Sequence, residues 1–159
     1  MLTMSIWVFL LFTAIGMWGT VYYLVKDKTP KSKLKELNSR AIKLGIFLLV
    51  FDFIFENLGL LLGYWYTSGS ILQLGAVPIE VMGIAFCAGF TYAVLFPRKF
   101  DTKLGFFSSV WIAAAGTAIE AILVSQGVLM YTGGWTSLHA FVSYFAAFMI
   151  MHKVNSILY

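Results

Sequence analysis

The chain has 159 residues, of which 60% are hydrophobic and only 11% charged, and its mean hydropathy is +0.87. Soluble domains hold about 45–50% apolar residues, so this composition excludes an ordinary soluble protein and indicates a small integral membrane protein. The net charge of +4 comes from basic residues confined to a few loops, which argues against a nucleic-acid partner, and the single cysteine, Cys87, excludes an internal disulfide.

A membrane span takes about 20 apolar residues at about 1.5 Å each. Five stretches qualify, at roughly 4–25, 43–64, 77–97, 105–127 and 136–153. The sequence therefore predicts an all-α protein of five transmembrane helices, a single membrane domain over 1–159, multi-pass in the cell membrane. The first stretch, "MLTMSIWVFLLFTAIGMWGTVYYLV", has no basic leader and no small-residue cleavage site, so it reads as a span and not as a signal peptide. The segment that follows, "KDKTPKSKLKELNSRAIK", carries Lys26, Lys28, Lys31, Lys33, Lys35, Arg40 and Lys43. It reads as a solvated, snorkelling loop in preference to one bound to anionic headgroups. Arg98, Lys99 and Lys103 lie in "PRKFDTK" after the third span, and Lys153 ends the fifth. With five spans all eleven basic residues fall on one side, so the N-terminus is expected outside and the C-terminus inside.

The second and fourth spans match in detail. Glu56 is followed seven residues later by Gly63 and then by "YTSG"; Glu120 is followed seven residues later by Gly127 and then by "YTGG". Spans two and three, and spans four and five, thus read as two copies of one helical hairpin crossing in the same sense, a parallel repeat about an axis along the membrane normal. Small residues at "GLLLG", at Ala85 with Gly89 and at Ala114 with Ala118 have the spacing that lets helices approach closely.

Four acids, Asp52, Glu56, Glu80 and Glu120, fall within spans, and no basic residue lies there to pair with them. A carboxylate at the bilayer centre costs about 2.5–3.5 kcal/mol on insertion scales, so the cheaper state is a neutral, hydrogen-bonded acid able to give up a proton. Glu56 and Glu120 each lie about 10 Å inward of the glycine ending their span. Glu80 sits in the first turn of its span after Pro78, and His139 lies five residues after Gly134. These four are expected to converge on one site in the outer half of the bilayer, with Asp52 one turn deeper than Glu56 on the same face. Thr136, His139 and Ser143 form a polar stripe. Three carboxyls and a histidine suit a cation, but no tight spacing such as H-E-x-x-H marks a metal site. Tyr64, Trp65, Tyr66, Tyr131 and Trp135 cluster at the outer ends, as an interfacial belt or as the lining of a pocket whose ring faces stabilise a cation.

At "GYWYTSGSILQLGAVPIEVMGIAFCAGF" the chain resembles the membrane lycopene cyclase domains of the heterodimeric bacterial, archaeal and fungal type, over roughly residues 52–96. Those domains carry a W-x-Y turn and then Pro-x-Glu-Glu at the start of the next span. Here Trp65 and Tyr66 are adjacent, with Tyr64 before them; Pro78 and Glu80 match, and Val81 replaces the second acid. The second half, with "LFPRKF", Glu120, Tyr131 and Trp135, also resembles small uncharacterised membrane proteins of Gram-positive bacteria. The cyclase resemblance implies protonation and cyclisation of an isoprenoid end group. Glu80 is then the proton donor, Glu56 or Glu120 its partner, and the Trp/Tyr cluster the stabiliser of a carbocation. It implies neither metal nor redox cofactor, and it implies a paired membrane subunit or a homodimer. Three readings stand side by side: an enzyme or binding protein for an isoprenoid lipid, a small transporter or proton-coupled protein, and a structural subunit whose acids set packing.

Overall fold

The computed structural model describes residues 5–75 and 77–158, so the first residue of the expected first span, Met4, lies outside the described residues. Five helices account for most of the described chain: α1 (Ile6–Lys26), α2 (Lys31–Leu61), α3 (Ile79–Leu95), α4 (Thr102–Ser125) and α5 (Ser137–Ile157). Four short strands lie in the connections: β1 (Trp65–Thr67), β2 (Gln73–Leu74), β3 (Val77–Pro78) and β4 (Leu129–Tyr131). Three of the helices, α1, α2 and α4, are long and apolar enough to cross a membrane. α3 is apolar but has 17 residues, and α5 carries His139, Ser143, His152, Lys153 and Asn155 along its length.

The expected basic loop before residue 43 is instead the first third of α2, which runs 31 residues. Pro30 starts the helix, where a missing N–H costs nothing. Beyond it, "KSKLKELNSRAIK" is rich in good helix formers, and Leu34, Leu37, Ala41 and Leu44 recur at helical spacing. Asp101 begins α4 as a side-chain cap: it accepts the N–H groups of Lys103 and Leu104 at 2.9 and 3.1 Å. The Leu104 and Lys103 amides hold its carboxyl below the usual aspartate range.

α2 packs along α3, α4 along α5, and α1 against the far side of α3. The α2–α3 crossing is close because it is built on glycine: a Cβ at Gly89 would stand 2.6 Å from the Leu44 carbonyl oxygen. The expected small-residue pair Ala85 and Gly89 is therefore buried at a helix contact, whereas Ala114 and Ala118 on α4 are exposed and make none of comparable depth. Leu44, Leu48, Phe90, Phe148 and Met151 form the main core between the hairpins.

The hairpins meet at one end through β1 and β4, which pair antiparallel with Trp65 opposite Tyr131, Tyr66 opposite Met130 and Thr67 opposite Leu129. The bonds around this seam come in twos, each a shift of 64 residues from its counterpart. Gly63 and Gly127 close α2 and α4 at φ of 70° and 68°, a conformation that only glycine adopts without strain. The amides of Tyr64 and Val128 then reach back to the carbonyls of Gly59 and Leu123 at 2.9 and 3.0 Å, completing the same helix-ending motif twice. The Ser68 amide donates to Val128 and the Thr132 amide to Tyr64, at 2.8 and 2.7 Å. Their hydroxyls donate to the carbonyls of Gly127 and Gly63.

Candidate functional site

Under this seam lies a partly enclosed cavity of about 200 Å³. Its polar lining includes three carboxyls, Asp52, Glu56 and Glu120, with Thr67, Ser143 and the hydroxyls of Tyr131 and Tyr144; no Lys, Arg or His lines it among the described residues. The rest is apolar or aromatic. Trp65 and Trp135 approach with ring centroids 4.6 Å apart, and Phe55 lies 5.4 Å from Trp65. Trp7 closes one side, its indole N–H bonded to the Ser68 carbonyl at 2.7 Å, while Ser5 Oγ bonds the Gly69 carbonyl at 2.6 Å. The start of α1 thus pins the loop that roofs the cavity.

The carboxyls differ in what they receive. Glu56 Oε2 accepts the Trp65 indole N–H at 2.7 Å. An indole nitrogen only donates, so it favours the oxygen as an acceptor. Glu120 accepts from two phenols, Tyr144 at 2.7 Å on Oε1 and Tyr131 on Oε2. Asp52 Oδ2 is buried with no hydrogen-bond partner among the described residues, as is Thr67 Oγ1. An orphaned buried acceptor is costly, and a proton on Asp52 turns the same atom into a donor facing the cavity.

The structure brings Glu56, Glu120, Asp52, Trp65, Tyr131 and Trp135 of the expected site to this cavity and leaves Glu80, His139, Tyr64 and Tyr66 off its wall. Glu80 is buried, 2% exposed, but under the neighbouring loop, where Oε1 accepts the Ile71 N–H at 2.9 Å. The convergence of Glu80 with Glu56 and Glu120 expected from depth alone is therefore not formed. α3 turns its small residues towards α2, and its first turn consequently aims Glu80 at the β1–β2 connection. His139 is exposed, bonded through Nδ1 to Thr136 Oγ1 at 2.8 Å and lying against the Trp135 ring. It does not join the acids. Tyr64 stacks behind Trp65 and Trp135, and Tyr66 points outward, 43% exposed.

Tyr144 and Trp7 were not singled out by sequence. For Tyr144 a signal exists: it follows Ser143, the last member of the polar stripe, and Ser143 lines the cavity. For Trp7 there is none. A second polar cluster at the basic end also escaped notice. His152, 1% exposed, places Nε2 3.0 Å from the Asp101 carbonyl oxygen and Nδ1 2.8 Å from the Tyr92 hydroxyl. The Asp101 N–H also approaches Nε2 at 3.3 Å, so the ring joins the start of α4 to Tyr92 through both nitrogens. Arg40 donates to Asn155 Oδ1 at 3.0 Å and to the Ala93 carbonyl at 2.7 Å. These contacts tie α5 to the ends of α2 and α3 and are structural. Among the described residues no His/Cys/Asp/Glu group is arranged to hold a metal ion. Comparison with family models, with curated proteins and with solved structures finds no match to this chain.

Proposed function

We propose that the chain is a five-span membrane protein, N-terminus outside, whose outer half holds an acid–base site for the end group of an isoprenoid-like lipid. The carrying observation is the cavity itself: aromatic faces and three carboxyls, with no Lys, Arg or His among its lining residues. The gathering of the basic residues supports the orientation. Arg98 pairs with Glu36, and the Lys153 ammonium lies over the Phe100 ring, so α2, the α3–α4 connection and the end of α5 present their cations together. The paired bonds of the β1–β4 seam support a duplicated hairpin. Typical ligand pockets measure about 300–1,000 Å³. This one is sized for one end of a polyene, with the tail left to the surrounding lipid.

In this reading Asp52, and not Glu80, is the proton donor, because it lines the cavity and its buried Oδ2 receives no hydrogen bond from the described residues. Its proton adds to the terminal double bond of the end group and leaves a tertiary carbocation. A neighbouring double bond attacks that centre and closes a ring, which moves the positive charge to a ring carbon. Loss of a proton from the adjacent carbon to Glu120 restores a double bond. The product is an isomer of the substrate, so no oxidant or reductant is consumed. The ring faces of Trp65, Trp135 and Phe55 stabilise the passing cation. Transport has less support: the carboxyls stop at Asp52, and beyond it Leu44, Leu48, Phe90, Phe148 and Met151 fill the core.

The test is incubation of purified protein with an acyclic C40 polyene in deuterated buffer, read by mass spectrometry. A cyclised product carrying deuterium is expected. Asp52→Asn is expected to lower the rate by at least about 100-fold, the usual scale of a general acid, while Glu80→Gln keeps it. Absence of both bound polyene and product, or equal rates for wild type and Asp52→Asn, overturns the proposal.

A further inference from the structure

At the opposite end of the helices, a groove of about 440 Å³ runs between the end of α1, the first turns of α2 and the end of α3. Lys33, Arg40 and Arg98 line it with a single carboxylate, Glu36, and Val25 and Phe96 give it apolar walls. It shares no residue with the cavity described above. We infer that this groove binds a phosphoryl anion, as the headgroup of an acidic phospholipid or as a soluble phosphate ester.

Arg40 carries the argument. Its guanidinium is half-buried and held in place by neutral acceptors, the Ala93 carbonyl and the Asn155 amide oxygen, and Asn155 is itself anchored on the Pro97 carbonyl at 3.3 Å. The contact to Ala93 caps the end of α3, which accounts for part of the guanidinium. A guanidinium has five N–H donors, and these two bonds leave three without a protein partner among the described residues. Neither of Arg40's hydrogen-bond partners is a carboxylate, so its charge is held rigidly in a partly desolvated place, with the Glu36 carboxylate acting on it only through space. Planar, forked donors of this kind match a phosphoryl group in two-point contact. Lys33, exposed at the mouth, adds a second cation. Arg98 adds a third, and its ion pair with Glu36 is exposed on both sides, 36% and 58%. Exposed pairs of this kind contribute little, so an anion bound between Arg40 and Arg98 displaces the Glu36 carboxylate at small cost. Glu36 then acts as a resident competitor.

The experiment uses the full chain in detergent micelles, with native mass spectrometry and thermal unfolding as readouts. Phosphatidylglycerol and phosphatidylcholine of the same acyl composition are the lipid probes, and glycerol 1-phosphate is the soluble one. Selective retention of phosphatidylglycerol with a rise in unfolding temperature is expected. Lys33→Gln and Arg40→Lys are each expected to weaken retention by about tenfold, the scale of one charge-assisted hydrogen bond. Glu36→Gln removes the competitor and is expected to tighten it by about threefold, in line with the small worth of an exposed pair. Competition by glycerol 1-phosphate assigns the site to soluble phosphate esters; lipid retention unaffected by it assigns the site to a headgroup. Equal retention of the two lipids with no effect of glycerol 1-phosphate overturns the inference. Binding unchanged by Lys33→Gln and Glu36→Gln, both surface changes that leave the fold intact, overturns it as well. Those two variants decide the matter even if Arg40→Lys fails to fold.

Discussion

In the last turn of α2, Gly59 opens a space that the Trp65 ring fills. At the positions 64 residues on, in the last turn of α4 and just beyond it, Leu123 occupies its own space and Leu129 stands where the tryptophan would be. Trp65, Leu123 and Leu129 are buried in one cluster, Gly59 is buried beneath the Trp65 ring, and the backbone bonds around them correspond one for one. The two hairpins therefore share a frame and differ in how bulk is divided within it. That division has a chemical consequence. Trp65 reaches Glu56 with an indole N–H, whereas Leu129 offers Glu120 nothing, and Glu120 instead takes the hydroxyls of Tyr131 and Tyr144. Corresponding backbone bonds thus frame two differently held acids, with one donor on Glu56 and two on Glu120.

The comparison breaks most visibly at Gly59. A Cβ there would stand 1.9–2.4 Å from the Trp65 ring atoms. Gly59→Ala is expected to lower stability by about 3 kcal/mol, the upper range for overpacking, seen in thermal unfolding of the detergent-solubilised protein. Combined with Trp65→Leu, which copies the second hairpin, the same change should cost much less. Strict additivity of the two substitutions would show that they do not share one space.

A smaller effect sharpens the contrast between the acids. Tyr144→Phe and Tyr131→Phe each remove one donor from Glu120 and are expected to cost about 1.5–3 kcal/mol when the acceptor is charged. The double variant should cost more than the sum, because the first loss leaves a second donor in place and the second leaves none. A double-mutant cycle measures this coupling, and a coupling near zero would mean that the phenols do not act on a common carboxyl.

The smallest effect lies in the seam. Thr132→Val and Ser68→Ala each remove one exposed hydroxyl bond, 2.7 Å in the first case and 3.3 Å in the second. Costs of about 0.5–1 kcal/mol are expected, larger at Thr132, with no change in polyene binding. Loss of binding in either variant would place the seam within the site and not merely above it.

Several features of this molecule were legible as local pattern. Apolar runs mark the helices, and the spacing from Glu56 to Gly63 and from Glu120 to Gly127 marks two matching helix ends. The i,i+4 relation of Asp52 to Glu56 places both on one face, and both line the cavity. Depth was readable because rise per residue is fixed. Azimuth was not. Glu80 lies at a suitable depth, yet the packing of Ala85 and Gly89 on α2 sets the rotation of α3 and sends that carboxyl under a loop. His139 sits near the level of the acids, but its face of α5 turns outward. Charge in the basic segment suggests a solvated loop, whereas Leu34, Leu37, Ala41 and Leu44 continue the inward stripe of α2 into it.

What the sequence by itself determined is therefore one-dimensional: which apolar segments are helical, roughly where they stop, how far along each an acid lies, and which end holds the cations. Tertiary structure decided which acids meet and who donates to them. Tyr144 reaches Glu120 across 24 residues, Trp7 reaches Ser68 across 61, and Arg40 reaches Asn155 across 115. Such partners depend on helix rotation and crossing, which follow from how side chains interdigitate at each contact. Local spacing fixes only a residue's neighbours on its own helix.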